Sequence, residues 1–276
     1  MKVIDKKLLA ALLVFHGLFF GRSAVDGAQS LRTFLFNSQD VLKKGWEEKI
    51  HTKPMKVAIA SMDGSSAMEL DSADAASGYF FKFEKPWDPN QYPISSFTWR
   101  VDALPGKEAP SGAIEKNEGS VQVAARRGGL GGRREEEGEE GLELSRKEQD
   151  DYFRIYFITD AFSIAFAKCL EYVWDVHRGV MTRLRSPWSD SIRLLVLENK
   201  SSFGQWRKEE RNVLEDFKLL FGRTTWDKNI AAIAFMLDTD NSQGKAKAFL
   251  REMKIGMPAE AGIGEGKPLY HFVWQP

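Results

Sequence analysis

Cysteine is almost absent from this chain. Cys169 is the only one among 276 residues, so no internal disulfide can form. The fold must therefore be held by a hydrophobic core, and the length is sufficient for one large domain. Long apolar runs are also missing after the N-terminal region, because no later stretch approaches the roughly 18 residues of a membrane-spanning helix. The sequence predicts a single core and no transmembrane segment in the mature chain.

The N-terminal apolar stretch is typical of a secretory signal peptide. Three lysines within the first seven residues precede the apolar segment 8–20, and small residues follow it. We expect residues 1–27 to be removed, leaving 28–276 as a periplasmic or secreted protein. That mature chain has a formal charge of −2. This balance argues against nucleic acid as a partner.

Aromatic residues are missing from one long internal segment. Residues 106–148 contain nine glycines and many charges but no aromatic side chain, although aromatics make up 12% of the chain. Such a composition buries too little apolar surface to offset the entropy that ordering costs. We predict a disordered insertion on the surface of a single domain, and we expect the domain to fold without it.

Outside that segment, apolar and polar residues alternate with the period of β-strands. The pattern is clearest at 97–101 and 152–157, and clusters of Gly, Pro, Asp and Ser separate the apolar segments. About ten strands with little helix predict a mostly β fold, a β-sandwich or jelly roll. The other strands are expected at 55–61, 67–71, 78–83, 168–174, 191–198, 230–237, 246–255 and 269–274.

One amphipathic helix is predicted at about residues 203–221. Ser202 begins a sequence like a capping box, and Gly222 stands where a left-handed C-cap belongs. Apolar residues recur between them at helical spacing. Its acidic side chains are expected to form a solvated face, with a contact surface for another protein as the alternative. These side chains are Glu209, Glu210, Glu215 and Asp216.

Several short motifs occur in order along most of the mature chain. They include Gly45-Trp46-Glu47, Trp99-Arg100-Val101-Asp102, Asp150-Asp151-Tyr152, Leu170-Glu171-Tyr172-Val173-Trp174 and Asp238-Thr239-Asp240-Asn241. In this order they resemble a bacterial exported family known as domain of unknown function 3047. The resemblance implies one β-rich periplasmic domain, similar in outline to carbohydrate-binding jelly rolls. It implies no established activity and no catalytic residues.

One strand face carries the best candidates for ligand binding. Tyr152, Arg154 and Tyr156 are expected to project together from the strand at 152–157, and Arg100 extends this surface if its strand lies in the same sheet. Aromatic rings beside a guanidinium suit sugar rings or carboxylated glycans. The alternative is that the helix or the insertion covers this face and these groups complete that contact.

The loop after the apolar strand at 230–237 is a candidate calcium site. Asp238, Asp240 and Asn241 supply the hard oxygen ligands that Ca²⁺ prefers, at the end of a rigid strand. The spacing does not match an EF-hand. The alternative is an Asx-type turn, because Asp and Asn side chains bond to their own backbone.

Established catalytic patterns are missing. His51, His177 and His271 belong to no zinc motif, and the chain has no Gly-x-Ser-x-Gly elbow. Cys169 is expected in the core. Paired carboxylates of the kind that glycosidases use have two candidate arrangements, Asp238 with Asp240 and Glu171 with Glu198.

Three functions therefore stay open from the sequence. The first is a non-enzymatic exported protein that binds a glycan or another cell-envelope component through the face of Arg154. The second is a glycan-cleaving hydrolase or lyase that uses carboxylates near Asp238. The third is a protein-interaction module of the envelope with the acidic helix as its contact.

Overall fold

The fold is a sandwich of two β-sheets. The computed structural model describes residues 32–104, 142–143, 152–161 and 166–257. The predicted signal peptide, the expected strand at 269–274 and most of the predicted insertion lie outside these residues. Within these residues, two sheets pack face to face, and the chain also forms two α-helices. This architecture confirms the prediction of a mostly β sandwich.

In chain order the elements are β1 (Arg32–Leu35), α1 (Gln39–Lys43), β2 (Trp46–Ile50), β3 (Lys56–Met62), β4 (Ser65–Ala73), β5 (Ala76–Trp87), β6 (Ile94–Ala103), β7 (Leu142–Glu143), β8 (Tyr152–Thr159), β9 (Cys169–Asp175), β10 (Arg183–Arg185), β11 (Ile192–Asn199), β12 (Arg207–Asn212), α2 (Val213–Phe221), β13 (Ile230–Asp238) and β14 (Lys245–Met257).

The strands form two sheets. The smaller sheet has the strand order β12-β6-β14-β4-β3, and β1 also pairs with β14. The larger sheet has the order β2-β5-β13-β8-β9-β11-β10-β7. Most neighbours are antiparallel, but β11 runs parallel to β9 and β10 runs parallel to β7.

The main hydrophobic core lies between the sheets and is rich in aromatic rings. Phe97 and Trp99 of β6 point inward, as their alternation with polar residues predicts. Trp99 packs edge-on against Trp174 of the opposite sheet, with ring centroids 5.2 Å apart. Rings of this size each bury 150–250 Å² in a typical core. This packing explains why a chain with one cysteine needs no cross-link.

The helix is shorter than the sequence predicts. Residues 207–212 form β12, which pairs antiparallel with β6 at the edge of the smaller sheet. An edge strand faces solvent along one side, so its charged sequence does not show the apolar alternation of an inner strand. The N-cap of α2 is Asn212, whose side chain accepts a hydrogen bond from the Glu215 amide at 3.1 Å. Gly222 does form the predicted left-handed C-cap, with φ of 60°.

The helix closes one open side of the sandwich. Its apolar residues belong to the core between the sheets, and Phe217 stacks on Trp226 with centroids 4.6 Å apart. Asp216 is buried and accepts a hydrogen bond from Tyr172 at 2.6 Å and two from Arg211. The predicted acidic face is therefore not uniformly solvated. Glu209 and Glu210 lie on β12 instead of on the helix.

Two residues inside the predicted insertion belong to the larger sheet. Leu142 and Glu143 form β7, which pairs with Leu184 and Arg185 of β10. This pairing differs from the expectation of a wholly unstructured segment. Across the described part of the chain, no helix is long and apolar enough to cross a membrane.

Candidate functional site

Two predicted ligand-binding residues meet on the outer face of the larger sheet. Arg154 and Tyr156 point away from the main core because they alternate with Phe153 and Ile155, which face it. An Nη1–H of Arg154 donates to the Tyr156 hydroxyl oxygen at 3.3 Å, and that hydroxyl donates to the sulfur of Met236 at the same distance. Tyr152 begins the same strand.

Two carboxylates complete a charged cluster around Arg154. Glu171 pairs in register with Tyr156, and Asp238 ends the neighbouring strand β13. Burial raises the pKa of Glu171 to about 7, although the positive charge of Arg154 acts in the opposite direction. Burial alone would lower the pKa of Arg154, but its interactions with Tyr156, Glu171 and Asp238 outweigh burial and raise that pKa. The cluster therefore compensates its own charges.

The part of the outer face around Arg154 is closed to solvent. Arg154 and Tyr156 expose 4% of their surface, Glu171 exposes 2% and Asp238 exposes 8%. Apolar neighbours including Phe80 surround them. The sequence predicted an open face for stacking on sugars, whereas the structure buries these groups. Helix α2 is not the cover, because it packs with the core on the other side of the sheet.

Arg100 does not extend that face. Its strand β6 lies in the smaller sheet, so the condition for a shared surface is not met. The guanidinium of Arg100 is held by Asp102 at 2.6 Å and by Asp63 at 3.3 Å. It lies on the outer face of the smaller sheet, because its neighbours Trp99 and Val101 point into the core.

The Asp238 loop has the hydrogen bond of an Asx-type turn. The Asp238 carboxylate accepts the amide N–H of Asp240 at 3.4 Å. Thr239 is fully buried, and its hydroxyl bonds the backbone of Ala75. Among the residues that the structure describes, no three His, Cys, Asp or Glu side chains are grouped to hold a metal ion. The calcium site, which includes the oxygen of Asn241, stays a prediction.

The second carboxylate pair proposed from sequence is not formed. Glu171 faces outward, whereas Glu198 pairs in register with Trp174 and shares its inward side. Glu198 is held there by the hydroxyl of Ser202 and by Nε of Arg207, both at 2.6 Å. Cys169 is buried with the outer apolar cluster, as expected, and burial raises the pKa of its thiol, which disfavours the reactive thiolate.

An open groove lies on the outer face of the smaller sheet. It forms where β14 changes partner: Leu250 is the last residue that pairs with β4, and Glu252 pairs with β1. Arg251 between them is the extra residue of a β-bulge against β6. The groove has a volume of about 440 Å³. Its lining consists of Leu35, Phe36, Asn37, Ser65, Ser66, Thr98, Arg251 and Glu252.

An aromatic and cationic stack borders this groove. The Arg251 guanidinium lies 4.0 Å from the centroid of the half-buried Trp206 ring, which packs in turn against Phe249 at 6.4 Å. The indole N–H of Trp206 donates to the Asp63 carboxylate at 2.9 Å. Asp63 and Gly64 both have positive φ, 50° and 74°, as a two-residue type I′ hairpin requires. The tight turn therefore fixes the carboxylate that orients the indole.

Sequence reasoning missed this groove because its parts come from separate segments. The lining residues lie on or next to β1, β4, β6 and β14, and the strand partner change that unites them is a tertiary feature. The Asp63-Gly64 pair was the one local signal, since it predicts a hairpin. It does not predict what the hairpin holds.

Comparisons with known proteins agree with the family resemblance. Residues 135–254 match the model of the family described as "Protein of unknown function (DUF3047)", which confirms the resemblance over that part of the chain. A search of curated proteins gave no match.

Several solved structures are similar at low identity. The family 11 carbohydrate-binding module of the cellulase Lic26A-Cel5E of Clostridium thermocellum is 13% identical, with 84% of this chain and 97% of that chain covered and a TM-score of 0.38. Endoglucanase cel12A from Rhodothermus marinus is 7% identical, with 82% and 99% covered and a TM-score of 0.40. The xyloglucanase domain of NopAA from Sinorhizobium fredii is 10% identical, with 76% and 92% covered and a TM-score of 0.36. At these values, the fold assignment rests on the two sheets themselves.

Proposed function

We propose that this protein is an exported, non-enzymatic binding protein, and that a glycan occupies the groove beside Arg251. The observation that carries the proposal is the Trp206–Arg251 stack at the border of an open groove with polar walls. Export is supported by the signal-peptide pattern of residues 1–27. Among the components of the cell envelope, we expect a glycan to be the partner.

The chemistry of the groove suits a sugar. Sugar rings present hydroxyl groups at their edges and C–H groups on their faces, so they need many hydrogen-bonding partners and some apolar contact. Hydroxyls of Ser65, Ser66 and Thr98 and the amide of Asn37 supply the hydrogen-bonding partners, and the exposed side chain of Leu35 supplies the apolar contact. The volume of about 440 Å³ falls within the usual 300–1,000 Å³ of ligand sites.

The groove is preferred to the Arg154 face because it is accessible. The groups around Arg154 are buried, and they already satisfy one another electrostatically. A ligand on that face would have to displace these contacts and replace them. In the groove, a ligand meets side chains that are held in place while they remain open to solvent.

The test is direct binding by the purified mature chain, residues 28–276. A panel of envelope and plant polysaccharides is screened by titration calorimetry, and the mixtures are analysed for new reducing ends. We expect binding without cleavage, and we expect Trp206→Ala to weaken it at least tenfold because the stack that positions Arg251 is lost. Phe221→Ala, which removes a half-buried ring on the helix far from the groove, is the matched control. If the wild-type chain binds no glycan, or if Trp206→Ala binds as tightly as wild type and the Phe221→Ala control, the proposed site is wrong.

A glycan-cleaving enzyme is the second candidate, and one observation favours it. Burial gives Glu171 a pKa of about 7, and a second carboxylate, Asp238, acts together with it on the charge of Arg154. Glycoside hydrolysis uses an acid of raised pKa together with a second carboxylate. If the wild-type chain and the Glu210→Gln control release new reducing ends from a glycan and Glu171→Gln does not, the protein is a glycan-cleaving enzyme and not only a binding protein.

A further inference from the structure

The charge of Arg251 is not matched by a carboxylate. Other half-buried arginines in residues 32–104 and 166–257 have acidic partners, as Arg100 has with Asp102 and Arg211 has with Asp216. Arg193 is an exception, but it belongs to the larger sheet, not to the sheet that carries this groove, and it stacks on Phe221. No acidic side chain in these segments forms an ion pair with Arg251. Glu252 follows it in the chain and lines the same groove, but its carboxylate lies 3.2 Å from the ammonium of Lys254.

The Arg251 side chain is nevertheless held firmly. Its guanidinium stacks on the Trp206 ring at 4.0 Å, and Nη2 donates to the Met62 carbonyl at 3.3 Å. Its Nε–H is buried and has no hydrogen-bond acceptor in the protein. A buried donor without an acceptor is unfavourable, so the protein itself does not satisfy the whole hydrogen-bonding capacity of this guanidinium.

The backbone also directs this side chain. Register shifts between Leu250 and Glu252 make Arg251 the extra residue of a bulge, and its carbonyl is used by the Phe36 amide at 3.4 Å. Bulges bend a strand and re-aim one side chain, and they are common next to functional sites. Here the bulge coincides with the gap between β4 and β1 that opens the groove.

We infer that the glycan is acidic and that Arg251 binds a carboxylate of a uronic acid unit in it. This inference rests on the proposed function and adds the chemical class of the ligand. A planar carboxylate accepts two parallel N–H groups from a guanidinium, and the fixed stacking of Arg251 reduces the entropy lost on forming that pair. The neighbouring hydroxyls of Ser65, Ser66 and Thr98 then bond the ring hydroxyls of the same sugar.

The experiment compares each uronate with its methyl ester. Oligomers of galacturonate, glucuronate and mannuronate, and the same oligomers after methyl esterification, are titrated into the mature chain by calorimetry. We expect at least one acid form to bind about tenfold or more tightly than its ester, because the charge-assisted bidentate pair is lost in the ester. Arg251→Gln should bring the two affinities within about twofold, and Arg251→Lys should restore part of the preference because it restores the charge.

Lys247→Gln is the matched control, since it removes one positive charge from the same strand at a residue with its own acidic partners, Glu69 and Asp71. It should leave the preference for the acid intact. Equal binding of acid and ester by wild type overturns the acidic-glycan inference but leaves glycan binding in place. A preference that survives in Arg251→Gln also overturns it, because the carboxylate is then bound elsewhere. Absence of binding to any uronate, ester or neutral glycan overturns both proposals.

Discussion

Each outer face of this sandwich carries an arginine, and the surroundings of the two arginines are opposite. On the larger sheet, Arg154 is buried beside Glu171 and Asp238, and the cluster balances its own charge. On the smaller sheet, Arg251 borders an open groove, stacks on Trp206 and has no carboxylate partner in the described part of the chain. A compensated, buried arginine contributes to the folded state, whereas an uncompensated arginine at a groove is available to a ligand.

The difference follows from how each sheet is built. Strands β13, β8 and β9 pair without interruption beneath the Arg154 cluster, so its side chains pack closely on the sheet. Beneath Arg251, β14 loses β4 as a partner before it gains β1, and the sheet surface is open at that point. A regular sheet therefore carries the closed face, and an irregular sheet carries the open one.

The largest effect is expected on the closed face. Arg154→Met removes the only cation of the cluster that acts on Glu171, so Glu171 takes up a proton and Asp238 is left without its cation in an apolar setting. Breaking a buried charge pair in this way costs about 3–5 kcal/mol. The free energy of unfolding from urea denaturation should fall by that amount at pH 7.5.

The matched substitution on the open face should cost far less. Arg251→Met removes one cation–π contact and one hydrogen bond, so we expect a loss of about 1 kcal/mol or less. Adding Glu171→Gln to Arg154→Met should recover part of the lost stability, because glutamine replaces an acid that must take up a proton on folding at this pH. Similar losses for the two arginine variants would contradict the distinction between the faces.

The second prediction concerns the pH dependence of stability and its origin at Glu209. Glu209 on β12 faces Glu198, Arg207 and Arg211. Burial, and then the charge of Glu198, raise the pKa of Glu209 from its ordinary value of 4.5 to about 8. The folded chain therefore keeps a proton that the unfolded chain releases between about pH 4.5 and 8. Stability from this group falls as pH rises through that window, and the loss is complete above pH 8.

Glu209→Gln should remove that pH dependence, because glutamine imitates the protonated acid. We expect the variant to be about 1–2 kcal/mol more stable than wild type at pH 8.5, after allowance for solvent screening of this half-buried group, and nearly equal at pH 4.5. Thermal unfolding across pH 4.5–9 measures this. Glu210→Gln, at an exposed neighbour, is the control and should follow wild type. Parallel curves for wild type and Glu209→Gln would contradict the assignment.

A smaller effect is expected at the hairpin beside the groove. Asp63→Asn weakens the hydrogen bond to the Trp206 indole and the ion pair with Arg100. Because Asp63 is exposed, stability should change by less than about 1 kcal/mol. Glycan affinity should fall nonetheless, since the indole that supports Arg251 loses its anchor. A change in stability without a change in affinity would separate Trp206 from the binding site.

The sequence predicted the architecture well because strand patterning is local. Alternating residues such as Phe97, Trp99 and Val101 place their apolar side chains in the core between the sheets, as expected. The sequence predicts helix over the edge strand β12, because solvent on one side of that strand removes the apolar alternation. The Gly222 C-cap was recognised because a left-handed residue leaves a local signature.

The sites were less predictable because they depend on pairing between distant strands. The sequence placed Arg154 and Tyr156 on one face, and the structure adds Glu171 and Asp238 from two other strands. It could not show that this face is buried. The groove at Arg251 was invisible, because the change of partner along β14 involves segments about 200 residues apart in the chain.

The smallest effect is expected from calcium at the Asp238 loop, where two hypotheses remain. If Asp238, Asp240 and Asn241 bind Ca²⁺, the ion stabilises the folded chain by mass action, and the melting temperature rises with added Ca²⁺ and falls with chelator. Asp238 already interacts with Arg154, whose positive charge opposes a nearby cation, so the shift should be slight in wild type. Arg154→Met should enlarge it, and Asp240→Asn should abolish it. If the curves with Ca²⁺ and with chelator superimpose in both wild type and Arg154→Met, the loop is an Asx-type turn and holds no ion.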